Sequence, residues 1–383
     1  MREGVMDASP RSKIVYVLPV YDPATASHFY HLYELLERAR EALDIFLVVE
    51  RLGASVSYDR EKLMHRQFRC PSRVQRFSFP PLRFLELVFV LVGQRLRNRR
   101  FFYVHYSFYG ALAAWMVTRL CGGTVYYWNS GEPWRYRRPW FTEIIFRFIL
   151  RHTILVTDPP TLAEEYRHRY GLRPERIRIV PHFVSVERFS KGPLRDEARR
   201  MLGIPRGTNV VLFVHRLSRR KGAHLLPEII AEVTRQRKDV IFVIVGDGPE
   251  SASLKFKVQS LKLTQAVRLV GEVPQRDIAP YFRAADVFLL PSEEEGFPHV
   301  LLEAMATGLL YVATDVGGVR EITPPVLRQF IVPSGDVSGL AVNIPQLLNF
   351  DPRTREAFIH EAGEWVSHYD LRAVMSKFVE LFR

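Results

Sequence analysis

Short apolar runs alternate with longer stretches of helical period along most of the chain. Each run is continuous in residues such as Val, Ile, Leu and Phe, and is bounded by Gly, Pro or Asn. Because continuous apolar strands are buried on both faces, the pattern indicates parallel sheets with helices on either side. The predicted strands lie within residues 13–21, 43–50, 101–107, 124–130, 153–158, 176–183, 209–215, 239–248, 266–273, 286–292 and 309–315.

This alternation occurs twice, so the pattern predicts two doubly wound α/β domains. The alternation is interrupted by a segment rich in charged residues over 184–200, where the two halves join. A chain of 383 residues is long enough for two hydrophobic cores. We therefore expect a Rossmann-like domain at 1–187, a second at 188–366 and a closing helix at 367–383.

Composition limits the classes of protein to consider. The start of the chain is polar, and the longest apolar run, 84–92, is about half of what a membrane-spanning helix needs. Cys70 and Cys121 have no spacing that indicates a disulfide framework or a zinc site. We therefore expect a cytoplasmic protein with neither a signal peptide nor a transmembrane helix.

The net charge of +13 lies almost entirely in the first half, where residues 1–190 hold 29 Lys and Arg against 18 Asp and Glu. The segments 80–102 and 133–152 interleave arginines with aromatic and aliphatic residues at helical spacing. This pattern is typical of a helix face on anionic lipid headgroups. Solvated or core-packed helices are the alternative. Nucleic acid would also attract the charge, but no RNA-binding or helix-turn-helix signature is present.

The candidate binding residues of the second half come directly after its predicted strands. Ligands of open α/β sheets bind beyond the carboxyl ends of the strands. Arg216 and Lys221 lie five residues apart across a turn, and a helix is predicted to open at about Ala223. Two cations and a helix N-terminus would suit a diphosphate. A solvated basic loop is the alternative.

Glu303 stands out within residues 289–308, because it interrupts an apolar helix predicted over about 298–307. A carboxylate there is costly unless it accepts hydrogen bonds, and two neighbouring sugar hydroxyls could donate them. Capping of a nearby backbone, or pairing with an arginine, would satisfy it equally well. Glu295 lies on the turn that precedes this helix.

Together these residues resemble the retaining glycosyltransferases of the GT-B fold known as family 4. The family's E-x7-E signature is present as Glu295 and Glu303, its R-x4-K element is present as Arg216 and Lys221, and its other motifs follow in order across the second domain. The resemblance implies two Rossmann-like domains that face a central cleft. It also implies that 367–383 crosses back to the first domain.

The resemblance implies a role for each matching residue. Arg216 and Lys221 would neutralise the donor pyrophosphate, Glu303 would hold the ribose hydroxyls, and Glu295 would contact the transferred sugar. The remaining donor contacts would come from Gly296, Phe297 and Pro298 at the sugar and phosphate, from Gly271 and Val273 near the base, and from Gly317 and Gly318.

The chain has no Asp-x-Asp sequence, which fits a metal-independent enzyme that uses no cofactor besides a nucleotide-sugar donor, most simply UDP- or GDP-linked. In this family the anomeric configuration of the sugar is retained. The first domain matches less well. Asn129 occupies a position where many relatives have a histidine near the donor sugar. Asn129, His28 and His31 are candidates on the acceptor side. Lone histidines are more often packing residues.

The resulting hypothesis is a glycosyltransferase, peripheral at the cytoplasmic face of the membrane, with a lipid-linked or polysaccharide acceptor and no nucleic-acid partner. The alternative is a catalytically inactive GT-B scaffold that binds nucleotide or glycan. A Rossmann oxidoreductase is a third reading. The turn at Gly246–Gly248 lacks the third glycine of a dinucleotide fingerprint, which argues against a bound dinucleotide cofactor. The sequence contains no P-loop, which argues against a P-loop nucleotide site.

Overall fold

The computed structural model describes residues 11–22, 29–53, 72–76 and 80–383, which form two compact units. The first unit contains the described residues up to Pro181 together with Val374–Arg383, and the second contains His182–Ala373. The candidate His28 lies outside the described residues.

The first unit is built on a parallel sheet of seven strands in the order β3-β2-β1-β4-β5-β6-β7. Its strands are Ser12–Tyr21 (β1), Leu43–Leu52 (β2), Ser72–Val74 (β3), Phe101–His105 (β4), Thr124–Trp128 (β5), Ile154–Thr157 (β6) and Ile177–Ile179 (β7). Its first five helices are Phe29–Ala39 (α1), Pro80–Leu96 (α2), Phe108–Cys121 (α3), Trp140–His152 (α4) and Pro160–Tyr170 (α5).

The second unit repeats this plan with six parallel strands in the order β10-β9-β8-β11-β12-β13. Its strands are Asn209–Val214 (β8), Val240–Val245 (β9), Val267–Gly271 (β10), Val287–Leu290 (β11), Leu310–Thr314 (β12) and Ile331–Val332 (β13). The helices that follow are Val186–Ser190 (α6), Arg195–Met201 (α7), Leu226–Gln236 (α8), Ser251–Ser260 (α9), Ala279–Ala284 (α10), His299–Ala306 (α11), Val319–Ile322 (α12), Val337–Leu348 (α13), Pro352–Ser367 (α14) and Leu371–Glu380 (α15).

The continuous apolar runs form strands because both faces of each sheet are covered. On β1, Val15 and Val17 pack into the core beneath α2 and α3, while Tyr16 between them points to the opposite face and is also fully buried. Successive side chains of a strand point to opposite faces, so both sets must be apolar. The prediction of two parallel-sheet units is confirmed.

The end of α15 completes the second face of the first sheet. Phe378 packs edge-on against Tyr103, and Phe382 packs in the same way against Tyr126. The Ser12 hydroxyl donates to the carbonyl oxygen of Phe382 over 2.8 Å. The aromatic core on this side therefore combines early strands with the last residues of the chain.

Each predicted strand run contains an observed strand, whereas β3 and β13 were not predicted. These two strands are three and two residues long, too short to show a hydrophobic period. Of the two segments rich in arginine and aromatic residues, 80–102 contains α2 and the first two residues of β4, and 133–152 contains α4. Within the described ranges, no helix is both long and apolar enough to cross a bilayer.

Candidate functional site

The candidate site lies at the carboxyl edge of the second sheet, because all six strands run parallel and the loops after β8, β9, β11 and β12 leave from that edge. The peptide N–H of His215 donates to Val245, and that of Leu217 donates to Asp247, so the loops after β8 and β9 are joined. The backbone N–H groups of Glu293 and Glu294 both donate to the carbonyl of Arg220, which joins the loops after β8 and β11.

Glu295 and Lys221 form a buried ion pair at the centre of this site. The Lys221 ammonium (Nζ) lies 2.6 Å from Oε2 of Glu295, and it also donates to the carbonyl of Glu294 over 3.3 Å. Glu295 is 4% exposed and Lys221 7%. The structure thus brings together two residues that lie 74 positions apart and that the sequence assigned to the same site.

Burial and charge act in opposite directions on this pair. Burial alone would raise the pKa of Glu295, but His215 and the Lys221 ammonium outweigh it and lower that pKa to about 2. Burial lowers the pKa of Lys221 even though Glu295 acts against that shift. The carboxylate is therefore charged throughout the physiological range of pH.

His215 and Ser292 complete the surroundings of Glu295. The Ser292 hydroxyl donates to Oε1 over 2.7 Å, and Nε2 of His215 lies 3.4 Å from the same oxygen. Neither residue was predicted to belong to the site. One available signal was the position of His215, the first residue after β8 at the carboxyl edge of the sheet.

The turn that carries Glu295 is held by an unusually close backbone approach. Gly317 has φ +52°, and a Cβ at this position would lie 1.8 Å from the carbonyl oxygen of Glu295. The next peptide N–H, that of Gly318, donates to the carbonyl of Gly296 over 2.9 Å. Both predicted glycines thus contact the backbone of the turn, and the Gly318 amide donates its hydrogen bond within the protein.

The loop after β8 differs from its prediction. Residues Arg219–Lys221 form a 3-10 turn, Gly222 follows with φ +71°, and α8 begins at Leu226, not at about Ala223. Residues 222–225 form a turn in which the Leu225 N–H donates to the Gly222 carbonyl over 3.0 Å, so the helix starts later. Arg216 is exposed, and within the described part of the chain no contact joins its side chain to the Glu295–Lys221 pair.

Phe297 is fixed by two histidines. Its ring stacks on His182 with centroids 4.4 Å apart and an interplanar angle of 9°, and the His299 ring packs edge-on against His182. His299 is the first residue of α11, after Pro298, so the predicted helix at 298–307 is confirmed to within one residue at each end. This stacking anchors the Gly296–Pro298 turn through the side chain of Phe297.

Glu303 is buried in α11, as its apolar neighbours predicted. One oxygen, Oε1, accepts a hydrogen bond from the side-chain amide of Gln275, which is itself buried. Gln275 was another residue without an assigned role, because nothing in its sequence surroundings points to a residue 28 positions later. A buried acceptor at the sheet's carboxyl edge is suited to a hydroxyl-rich ligand.

The loop after β10 places the predicted base contacts. Gly271 has φ +86°, and its carbonyl accepts the N–H of Gly246 over 2.7 Å, which fixes it to the loop after β9. Val273 packs, half-buried, against the core, and Gln275 follows two residues later. This single loop therefore leads from the candidate base contacts to the partner of Glu303.

In the first unit, Asn129 is held by neutral groups. Its side-chain oxygen accepts from the Tyr166 hydroxyl and from the N–H of Gly131, each over 3.0 Å, and its amide nitrogen donates to the Tyr127 hydroxyl over 3.2 Å. His31, on α1, is 2% exposed and lies 3.8 Å from Glu34. Both predicted acceptor-side residues that the structure describes are therefore packed within the unit.

Two family models match the chain, one in each unit. The model described as Glycosyltransferase Family 4 matches residues 26–188, and the model described as Glycosyl transferases group 1 matches residues 195–365.

Similar curated proteins include a D-inositol 3-phosphate glycosyltransferase from Corynebacterium urealyticum. It is 30% identical over 239 residues, which is 60% of this chain and 56% of that protein. The GPI3 subunit of phosphatidylinositol N-acetylglucosaminyltransferase from Saccharomyces cerevisiae is 33% identical over 164 residues, 43% of this chain and 36% of that subunit. The chain thus spans about half of the length of these relatives, or less.

A similar solved structure is that of Anabaena HepE in complex with UDP. It superposes with a TM-score of 0.79 over 96% of this chain and 99% of that chain, at 18% sequence identity. At this identity the likeness shows the fold, which is GT-B, with two parallel-sheet Rossmann-like units.

Proposed function

The chain belongs to the group 1 and family 4 glycosyltransferases of the GT-B fold, and from this premise we propose that it transfers a sugar from a nucleoside-diphosphate sugar with retention of configuration. The observation that carries the proposal is the buried pair of Lys221 and Glu295, with His215 and Ser292 around it, at the edge where open α/β sheets bind ligands.

Lys221 and Arg216 are the groups we assign to the donor diphosphate. The Lys221 ammonium sits at the centre of the site, and Arg216 leaves β8 on an exposed loop beside it. As the bond between the sugar and the phosphate breaks, negative charge grows on the leaving nucleoside diphosphate. Cations at this edge of the sheet would stabilise that charge without a divalent metal.

Glu295 and Glu303 are the groups we assign to donor hydroxyls. Glu295 stays ionised because of its low pKa, so it accepts hydrogen bonds from the transferred sugar. Glu303 would accept from the ribose while Gln275 holds its other side, and the loop of Gly271 and Val273 would meet the base. No cofactor besides the donor enters this proposal.

Calorimetry with UDP, GDP and ADP, each with and without EDTA, tests the donor site. We expect one nucleotide to bind at micromolar strength regardless of EDTA. Glu303→Ala should weaken its binding about 10- to 100-fold, the value of one hydrogen bond to a charged group. Normal nucleotide affinity in Glu303→Ala would make this carboxylate structural, and no binding by the wild type would reject the donor site.

Turnover separates the enzyme from an inactive scaffold of the same fold. The protein is incubated with the nucleotide sugar that it binds and with lipid-linked or polysaccharide acceptors. NMR of the products then reports the anomeric configuration of the new bond. Tight donor binding without transfer to any acceptor would favour the scaffold. The yeast relative is named for a phosphatidylinositol substrate and the corynebacterial relative for an inositol phosphate, which gives two further acceptor classes to include.

We also propose that the first unit docks on the cytoplasmic face of an anionic membrane. Helix α2 packs on α3, and α3 packs on α4, so exposed apolar side chains of these helices lie on neighbouring elements. They are Leu85, Phe89, Leu96, Leu120, Trp140 and Ile144, which we call the apolar helix face. Exposed arginines at Arg97, Arg100 and Arg137 accompany it, and basic residues around apolar ones favour anionic headgroups.

Sedimentation with vesicles of phosphatidylglycerol and phosphatidylcholine tests this docking. We expect the wild type to bind in proportion to the anionic fraction, and Phe89→Glu with Trp140→Glu to abolish binding. A matched control is Phe256→Glu, which changes an exposed phenylalanine between two lysines on α9 of the second unit. Equal loss in both variants, or no vesicle binding by the wild type, would remove the membrane proposal.

A further inference from the structure

The two oxygens of Glu295 have different kinds of partner. Oε1 accepts from the Ser292 hydroxyl over 2.7 Å and lies 3.4 Å from Nε2 of His215. Oε2 lies 2.6 Å from the Lys221 ammonium. One oxygen is therefore held by two neutral side chains, and the other by a cation.

The hydrogen bonds of His215 fix which of its nitrogens carries the proton. Its Nδ1 lies 2.9 Å from the peptide nitrogen of Arg216, and a peptide N–H can only donate, so Nδ1 accepts. The proton of the neutral ring then sits on Nε2, the atom that faces Glu295. Burial, and next the Lys221 ammonium, lower the pKa of His215, which keeps the ring neutral.

The backbone of His215 is held on both sides. Its peptide N–H donates to the carbonyl of Val245 over 3.1 Å. A Cβ on Gly246 would lie only 1.9 Å from the carbonyl oxygen of His215, so the ends of β8 and β9 are in direct contact. His215 therefore presents Nε2–H to Glu295 from a fixed position.

Lys221 is the partner that can move. Its ammonium ends a side chain with four rotatable bonds, and it is the cation that the proposed function assigns to the donor diphosphate. A diphosphate carries more negative charge than one carboxylate oxygen, so it competes for this ammonium.

We propose that His215 is a positioning residue which, with Ser292, holds Oε1 of Glu295 while the donor diphosphate draws Lys221 away from Oε2. Oε2 then accepts a hydrogen bond from the donor sugar, so recognition of the sugar follows binding of the diphosphate. This inference rests on the proposed function. It adds a residue, and an order of events, to the donor site.

Calorimetry with UDP and UDP-glucose, and with GDP and GDP-mannose, tests the inference. The quantity measured is the ratio of the Kd of the free nucleotide to the Kd of its nucleotide sugar, for the pair that the wild type binds. In His215→Leu we expect this ratio to fall about tenfold, with a smaller change in the Kd of the free nucleotide. His215→Gln, which can place an N–H donor near the same point, should restore the ratio.

His224→Leu is the matched control. His224 also follows β8 and lies 3.3 Å from a carboxylate oxygen, that of Glu293, yet it does not contact Glu295 in the described part of the chain. This variant should keep the wild-type ratio.

The outcomes separate the inference from the function on which it rests. If the wild type binds neither nucleotide nor nucleotide sugar, the proposed function fails and the inference fails with it. If the wild type binds but His215→Leu keeps its ratio, or folded His215→Gln does no better than His215→Leu, the inference alone is overturned. Should His215→Leu not fold, Ser292→Ala removes the other donor to Oε1 and must lower the ratio.

Discussion

The loop around Asn129 in the first unit and the loop around Glu295 in the second both follow parallel strands, but they are stabilised in opposite ways. Asn129 is surrounded by two tyrosine hydroxyls and a peptide N–H, so no charge is buried. Glu295 is buried together with Lys221. A neutral network with its hydrogen bonds satisfied is inexpensive to bury, whereas a charged pair carries a large desolvation cost.

Only one of the two loops contains groups that a charged ligand could draw to new partners. The neutral network fixes one geometry and has no group that changes partner at physiological pH, since burial raises the pKa of Tyr127 to about 12. The charged pair is held by forces that a charged ligand can redistribute. We therefore expect Asn129 to have a structural role, and Glu295 and Lys221 to be the residues that respond to a bound ligand.

Lys221→Met should have the largest effect, because it leaves the charge of Glu295 buried without its cation. We expect a loss of about 3–5 kcal/mol in the free energy of unfolding, measured by urea denaturation. The control Arg220→Met removes an exposed ion pair with Glu294 and should cost less than about 1 kcal/mol. Equal losses in the two variants would mean that Glu295 does not depend on Lys221.

Gly317→Ala should follow, because the new Cβ would meet the carbonyl of Glu295 at 1.8 Å. Left-handed strain and forced movement of the turn together cost about 3 kcal/mol or more. Gly335→Ala is the matched control in the same unit, since Gly335 has φ +81° but open space around its Cβ position, and it should cost only about 1–2 kcal/mol. Thermal denaturation of both variants measures the difference, and similar melting temperatures would contradict the close approach.

Asn129→Ala should have the smallest effect, about 2 kcal/mol, because it breaks neutral hydrogen bonds only. A double-mutant cycle with Tyr166→Phe should show strong coupling, since Tyr166 donates to Asn129 directly. The loss should also stay constant between pH 5 and pH 8, because none of these groups titrates there. Additive losses, or a dependence on pH in this range, would show that the loop is not the closed neutral network described above.

The parallel sheets were predictable from sequence because a strand buried on both faces has to be apolar at every position. The need of Glu303 for a partner was predictable for a related reason: a carboxylate in an apolar helix is costly unless it accepts hydrogen bonds. Glu295, on the turn before that helix, was assigned to the site from the resemblance to the family's E-x7-E signature. What could not be predicted was the partner. Gln275 and Ser292 are ordinary polar residues until the fold brings them to Glu303 and Glu295.

The start of α8 shows a second limit. The sequence after Lys221 has helical residues, but Gly222 has φ +71°, and a Cβ on it would lie 1.9 Å from the carbonyl oxygen of Pro291. That approach joins residues 222 and 291, so the turn that precedes the helix packs against a distant part of the chain. Local pattern alone placed the helix a few residues too early.

The packing of Phe378 and Phe382 against the first sheet has a consequence for biosynthesis. During translation the strands of the first unit leave the ribosome early, but Val374–Arg383 follow only after the whole second unit has been made. Until then, Tyr103 and Tyr126 lack the aromatic rings that cover them in the finished protein. Of the two units, the one that is synthesised earlier is therefore the later one to complete its core, because these tyrosines stay uncovered until Phe378 and Phe382 have been made.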